Sequence, residues 1–196
     1  TLKRFLIQHM GIAADRIEVR PIEIDVVALD AVRHEREIWL AQLKNEEATP
    51  LHILVVSRLE SEKRVHLALL ISKQLLDRGV QHKITIAGSG TLDSSLKLQA
   101  QNLGVEHLIN FIGYTSNVRE LYGTHHVVLN LSLYEGYGMV LVEAVYAGVQ
   151  LITTKVGVAE ELSLEYPDKV TVVDGEDEKD IIHKFSDALE SIHHKK

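Results

Sequence analysis

Two glutamates eight positions apart, Glu135 and Glu143, stand in the stretch YEGYGMVLVEAVYAG, with Gly136 and Gly138 beside the first. From Met139 to Ala147 the run is apolar without alternation and is followed by Gly148. That pattern predicts a helix buried on most sides, starting near Gly138 and stopped by the second glycine. A carboxylate on such a helix is costly unless donors surround it, so Glu143 requires a partner. The adjacent hydroxyls of a ribose suit it, and removing the carboxylate should then leave the ligand-free domain no less stable. The ordinary alternative is a structural ion pair with Arg58, Lys63 or Lys155. Glu135 precedes the helix on a loop, and the amides of Tyr137, Gly138, Met139 and Val140 form a helix end that needs an anionic or hydroxyl-rich acceptor. At roughly 1.5 Å per residue Glu143 lies about 7.5 Å further along the axis, so the two carboxylates can touch different parts of one extended ligand.

Three further stretches carry chemistry. In SRLESEKR, Ser57 to Arg64, Arg58 follows a strand and Lys63 opens a helix. Both can face one phosphate, although a solvated charged loop has the same composition. In IAGSGTLDSSL, Gly88 and Gly90 sit between a strand and a helix, but Asp93 occupies the place of the third glycine of a dinucleotide fingerprint. The pair either lets a phosphate or ribose approach the backbone or makes a tight turn. In NFIGYTSN, Ile112, Gly113 and Tyr114 end a strand and could wall a flat base, or form an ordinary loop.

The elements that position these residues follow from periodicity. From Leu51 onward the β-branched runs HILVVS, KITIAG, LINFIG, VVLNLS, QLITT and VTVVD alternate with apolar residues at helical spacing. Strand and helix in alternation predict an α/β fold, a doubly wound, Rossmann-like sheet of six parallel strands with helices on both faces. Ligands of such sheets bind at the carboxyl ends of the strands, where the strand order reverses. The first fifty residues differ: LKRFLIQHMG predicts a short amphipathic helix, DRIEVRPIEID a strand with a proline, and ALDAVRHEREIWLAQLKNEEATP a charged helix anchored by Trp39. We read residues 1–50 as a connector and 51–196 as the domain.

Composition excludes several functions. The 196 residues carry a formal charge of −7, which argues against nucleic acid as a partner. With no cysteine there are no disulfides, thiolate metal sites or cysteine nucleophiles, in keeping with a cytoplasmic location. Eleven histidines are scattered without metal-ligand spacing, so no metal is assigned. The start lacks both a signal peptide and an initiator methionine, so the chain is expected to come from a longer protein.

Taken in order, R-L-x-x-x-K, A-G-S-G, F-I-G-Y and E-G-Y-G-x(4)-E resemble the C-terminal, donor-binding domain of retaining GT-B glycosyltransferases of group 1 (family 4). The resemblance runs from about Arg20 to the C-terminus, and its E-x(7)-E element is the most specific part. It implies sugar transfer from a nucleotide-diphospho-sugar of UDP or GDP type, with no cofactor. Arg58 and Lys63 would hold the diphosphate, and Glu135 with the amides of Gly136 to Met139 the sugar hydroxyls. Glu143 would take the ribose, while Gly88 and the Ile112 to Tyr114 loop flank the nucleotide. The acceptor would bind an N-terminal domain outside this chain, through which peripheral membrane association is also expected. Ser57 and Thr91 stand where the family often has Gly and Pro. The rival functions are a non-catalytic nucleotide-binding or regulatory module and a dinucleotide-dependent oxidoreductase, the latter weakened by the missing third glycine.

Overall fold

The computed structural model describes residues 2–18, 24–43 and 49–194, with backbone alone for 2–5. Six strands form one parallel sheet: β1 (Leu51–Val56), β2 (His82–Ala87), β3 (Ile109–Gly113), β4 (Val127–Asn130), β5 (Gln150–Thr154) and β6 (Val170–Val173), in the order β3-β2-β1-β4-β5-β6. β1 pairs with β2 on one side and β4 on the other, Ile53 lying beside both Ile84 and Val127. The order therefore reverses between β1 and β4. The carboxyl ends of these two strands are the crevice that the sequence calls for.

Alternate residues of β1 point to opposite faces, and both faces are dry. Ile53 and Val55 join the layer of α3 (His66–Asp77), α4 (Asp93–Asn102) and α8 (Glu178–His193), where Leu75, Phe185 and Leu189 are fully buried. Leu54 joins the layer of α2 (Val26–Leu43), α5 (Val118–Tyr122), α6 (Met139–Tyr146) and α7 (Ala159–Glu165). Near-continuous apolar strands buried on both faces are what a parallel sheet between two helical layers requires. α6 runs between Gly138 (φ +90°) and Gly148 (φ +77°), the two glycines expected to bound it.

The leader is more than a connector in its packing. The amphipathic helix forms as α1 (Leu2–Met10); of the strand expected over residues 15–25, the described residues show a 3-10 turn at Ala14–Arg16 and no strand, and residues 19–23 lie outside the described set. α2 contributes Leu29 and Val32 to the core, one helical face with the buried Arg36. Arg36 donates through Nε to His125 O and through Nη2 to His126 O, both at 3.3 Å, and burial pulls its pKa down to about 10. Trp39, the expected anchor, packs edge-on to His52 and tilted on His126 at 5.7 and 4.7 Å between ring centroids. Among the described residues no helix is long and apolar enough to cross a membrane.

His125 lies beneath Arg36, buried, with Nδ1 2.7 Å from Leu121 O and Nε2 2.9 Å from the Thr85 hydroxyl. Burial lowers its pKa from 6.5 to about 4, so the fold favours the neutral ring. The stability this supports is complete above the unfolded pKa and is lost as pH falls from about 6.5 towards about 4. Urea midpoints should decline across that window in the wild type and decline less in His125→Gln. A residual slope is expected from His82, which burial shifts in the same direction.

Candidate functional site

The crevice is assembled by stitching the loop after β1 to the end of β4. That loop makes a 3-10 turn, Ser61–Lys63, and then Arg64 at φ +46°, the one non-glycine residue of positive φ among the described residues. Such a conformation costs an L-residue of order 1 kcal/mol or more. Here it is held by Arg64 Nε donating to Leu131 O at 2.8 Å and by Leu133 N donating to Glu62 O at 2.8 Å. Burial lowers the Arg64 pKa, yet the guanidinium's role is to fix a backbone. The result is that Lys63 Nζ reaches Glu135 Oε1 across the crevice at 2.7 Å, both side chains largely shielded from water.

Polar residues at the ends of β4 and β5 support Glu135 from below. The Ser132 hydroxyl lies 2.7 Å from Glu135 Oε1 and 3.0 Å from Asn130 Oδ1. Asn130 Nδ2 donates to Thr153 Oγ1 at 3.0 Å, and the Thr154 hydroxyl donates to Ser132 O at 2.7 Å. Sequence reasoning missed these four residues and Arg64. The available signal was polar residues at the carboxyl end of a strand with an apolar centre, as in VVLN and QLITT.

Two adjoining cavities open here. One of about 370 Å³ is lined by Arg58, Lys63, Glu135, Tyr137, Gly138 and Met139. The other, about 240 Å³, lies between Gly88, Ser89, Tyr114 and Val118, and the two share Val56, Ser57, Arg58 and Val140. The amides of Met139 and Val140, at the start of α6, meet no protein acceptor among the described residues. Arg58 Nη2 donates to Glu62 Oε1 at 2.8 Å and its side chain is 69% exposed. Each cation at the crevice thus already faces a carboxylate. An entering anion would find Arg58, Lys63 and two free amides within one opening, and would displace carboxylates to reach the cations.

Other expected residues sit at its margin. Gly136, Ile112 and Gly113 line neither cavity, though Gly113 O accepts from Gly88 N at 2.8 Å. Gly88 and Gly90 are pressed against the loop after β1: a Cβ at 88 would lie 1.8 Å from Ser57 O, and one at 90 would lie 2.4 Å from Leu59 O. The close approach that these glycines permit is of one loop to another. A third cavity, about 410 Å³, lies at the opposite ends of the strands beside Trp39, His52, Lys83 and His107, and shares no lining residue with the crevice. Among the described residues no group of three or more acidic or histidine side chains is placed to hold a metal ion.

Glu143 lines neither cavity and pairs with none of the three expected cations, since Arg58, Lys63 and Lys155 pair with Glu62, Glu135 and Glu160. Its Oε2 accepts instead from the hydroxyl of Tyr122 at 3.0 Å. Tyr122 is fully buried, and burial together with the Glu143 charge pushes its pKa well above 10. The half-buried carboxylate therefore has a protein partner without any ligand. The expectation that its removal leaves the apo domain unharmed is corrected accordingly, because truncation would orphan a buried hydroxyl.

The family model described as glycosyl transferases group 1 matches residues 37–196. Glycogen synthase of Mycobacterium tuberculosis is 32% identical over 139 residues, 69% of this chain and 32% of that protein. Among solved structures, WaaG, a glycosyltransferase involved in lipopolysaccharide biosynthesis, superposes with a TM-score of 0.75 at 20% identity, covering 95% of this chain and 51% of that one. Anabaena HepE in complex with UDP and glucose gives 0.72 at 20%, covering 96% and 51%. The chain spans about half the length of these structures and about a third of that relative.

The Tyr122–Glu143 pair is tested on the ligand-free protein. Glu143→Ala should lose about 1–3 kcal/mol in urea unfolding, the cost of an unsatisfied buried hydroxyl. Glu143→Ala combined with Tyr122→Phe should recover part of it. An unchanged midpoint in the single variant contradicts the pairing.

Proposed function

Because the chain belongs to the glycosyl transferases of group 1, we propose that it is the donor-binding half of a retaining glycosyltransferase. On this reading it holds a nucleotide-diphospho-sugar for transfer to an acceptor bound by a domain outside this chain, with charge neutralised by side chains rather than by a metal ion. The observation that carries the reading is the Lys63–Glu135 pair at 2.7 Å, set beside unsatisfied helix amides at the switch point of the sheet.

Breaking the bond from sugar to diphosphate gathers negative charge on the leaving nucleotide. Fixed positive groups that bind this charge better in the transition state lower the barrier. Arg58 and Lys63 take that role, each exchanging a carboxylate for phosphate oxygen. Once Lys63 turns to the phosphate, Glu135 is freed to accept from sugar hydroxyls while Ser132 still holds its orientation, and the amides of Met139 and Val140 add fixed donors. The smaller cavity, with Tyr114 at its mouth and Val118 and Val140 in its wall, receives the nucleoside. Glu143 lies one helical turn beyond Val140, and the ribose is its proposed ligand in addition to Tyr122. The crystal structure of HepE with UDP and glucose supports a nucleoside diphosphate of UDP type, GDP being the alternative.

The test is a melting panel with UDP, GDP, ADP and NAD. A ligand at 100 times its Kd adds about 2.7 kcal/mol of stability. Stabilisation by one nucleoside diphosphate is expected, lost when Arg58 and Lys63 are both replaced by Ala. Stabilisation by NAD alone contradicts the proposal and favours an oxidoreductase.

A further inference from the structure

The loops after β1 and β2 meet along a backbone seam. Leu59 N donates to Ser89 O at 2.9 Å, Leu92 N donates to Leu59 O at 3.0 Å, and the space at Gly88 and Gly90 admits no side chain. One side-chain clamp crosses this seam. Glu60 Oε1 accepts from the Thr91 amide at 3.0 Å and Oε2 from the Thr91 hydroxyl at 2.6 Å, so both carboxylate oxygens are engaged. These bonds hold the Glu60 carboxyl below its usual pKa. The carbonyl of the same residue accepts from Lys63 N at 3.0 Å, which closes the turn that carries the lysine. Glu60 thus ties the glycine loop with its side chain and the lysine turn with its backbone. Neither residue lines either cavity.

We propose that Glu60 and Thr91 form a latch, a pair of positioning residues that hold the Gly88–Gly90 loop against the Arg58–Lys63 loop and so set the width of the crevice. Ser57 and Arg58 border both cavities, and Gly88 and Ser89 wall the second. Spreading the seam therefore enlarges the smaller cavity and shifts Arg58 relative to Lys63. The consequence for binding rests on the reading of the crevice as a nucleoside diphosphate site, whereas the latch itself does not. Its effect also has a distinctive sign. Deleting a negative charge beside an anion site by itself strengthens anion binding, so weaker binding in Glu60→Ala cannot come from charge and must come from lost positioning. Glu60→Gln removes the same charge but keeps an acceptor for the Thr91 amide.

The experiment combines amide exchange on the ligand-free chain with UDP titration of wild type, Glu60→Ala, Glu60→Gln, Thr91→Val and the double variant of Glu60→Ala with Thr91→Val. In Glu60→Ala, exchange over residues 88–92 should rise on the order of tenfold, as for local opening of a loop, while the strands stay protected. UDP should bind several-fold more weakly to Glu60→Ala and Thr91→Val, with the double variant no weaker than Glu60→Ala alone, as coupled residues require. Glu60→Gln should bind at least as well as wild type. Unchanged exchange in Glu60→Ala overturns the latch, and faster exchange with unaltered or tighter UDP binding overturns its positioning role. If wild type binds neither UDP nor GDP, which takes the place of UDP in the titrations should UDP not bind, the nucleotide reading of the crevice fails. The exchange result then decides the latch by itself, acceleration supporting it and no change overturning it.

Discussion

The 2.7 Å contact between Lys63 and Glu135 is the constraint around which the crevice is organised. It joins the loop after β1 to the loop after β4, two strands that are neighbours in the sheet but far apart in the chain. Because both partners are largely withdrawn from water, the pair is screened less than a surface ion pair. Each side must therefore be held accurately. On the lysine side this is done by the turn at Ser61–Lys63 and the strained Arg64, and on the glutamate side by Ser132, Asn130 and Thr153. Opposing charges brought together in this way leave each crevice cation paired in the ligand-free chain.

Sheet and crevice were legible because both depend on local pattern. Six β-branched runs separated by helical spacing leave few topologies open, and loops after such strands are where ligands bind. Arg58, Lys63, Glu135, Gly138 and Met139 all fall on those loops or at a helix start, and the structure gathers them around one cavity. What the sequence withheld is pairing across distance. Glu143 invited a cation as partner, whereas the short helix α5 lays the Tyr122 phenol against it. Gly88 and Gly90 left open a ligand's approach or a tight turn; both are pressed against the backbone of Ser57 and Leu59, while Gly88 also walls the smaller cavity. In α2 the face of Leu29 and Val32 continues into Arg36, and a charged residue on the buried stripe disguised a core helix as part of a connector.

These contacts give the chain a graded build. The two core layers and the sheet are apolar and closely packed, and the loops above them are fixed by polar contacts that can exchange. Arg64, Ser132 and Asn130 hold backbone and carboxylate in place, while Lys63 and Arg58 sit on Glu135 and Glu62, partners that the proposed phosphate would replace. A rigid floor under exchangeable charges suits electrostatic catalysis, because preorganised groups need little rearrangement as charge develops.

On the proposed function, a nucleoside diphosphate occupies the β1–β4 crevice through the cations and the free amides of α6. Backbone amide chemical shifts of the labelled chain, followed during addition of UDP and of GDP, test it most directly. One of the two is expected to move the amides of Lys63, Gly88, Met139 and Val140 together, with a single affinity. Shifts confined to the opposite end of the sheet, around Trp39, Lys83 and His107, or none with either nucleotide at millimolar concentration, would contradict it.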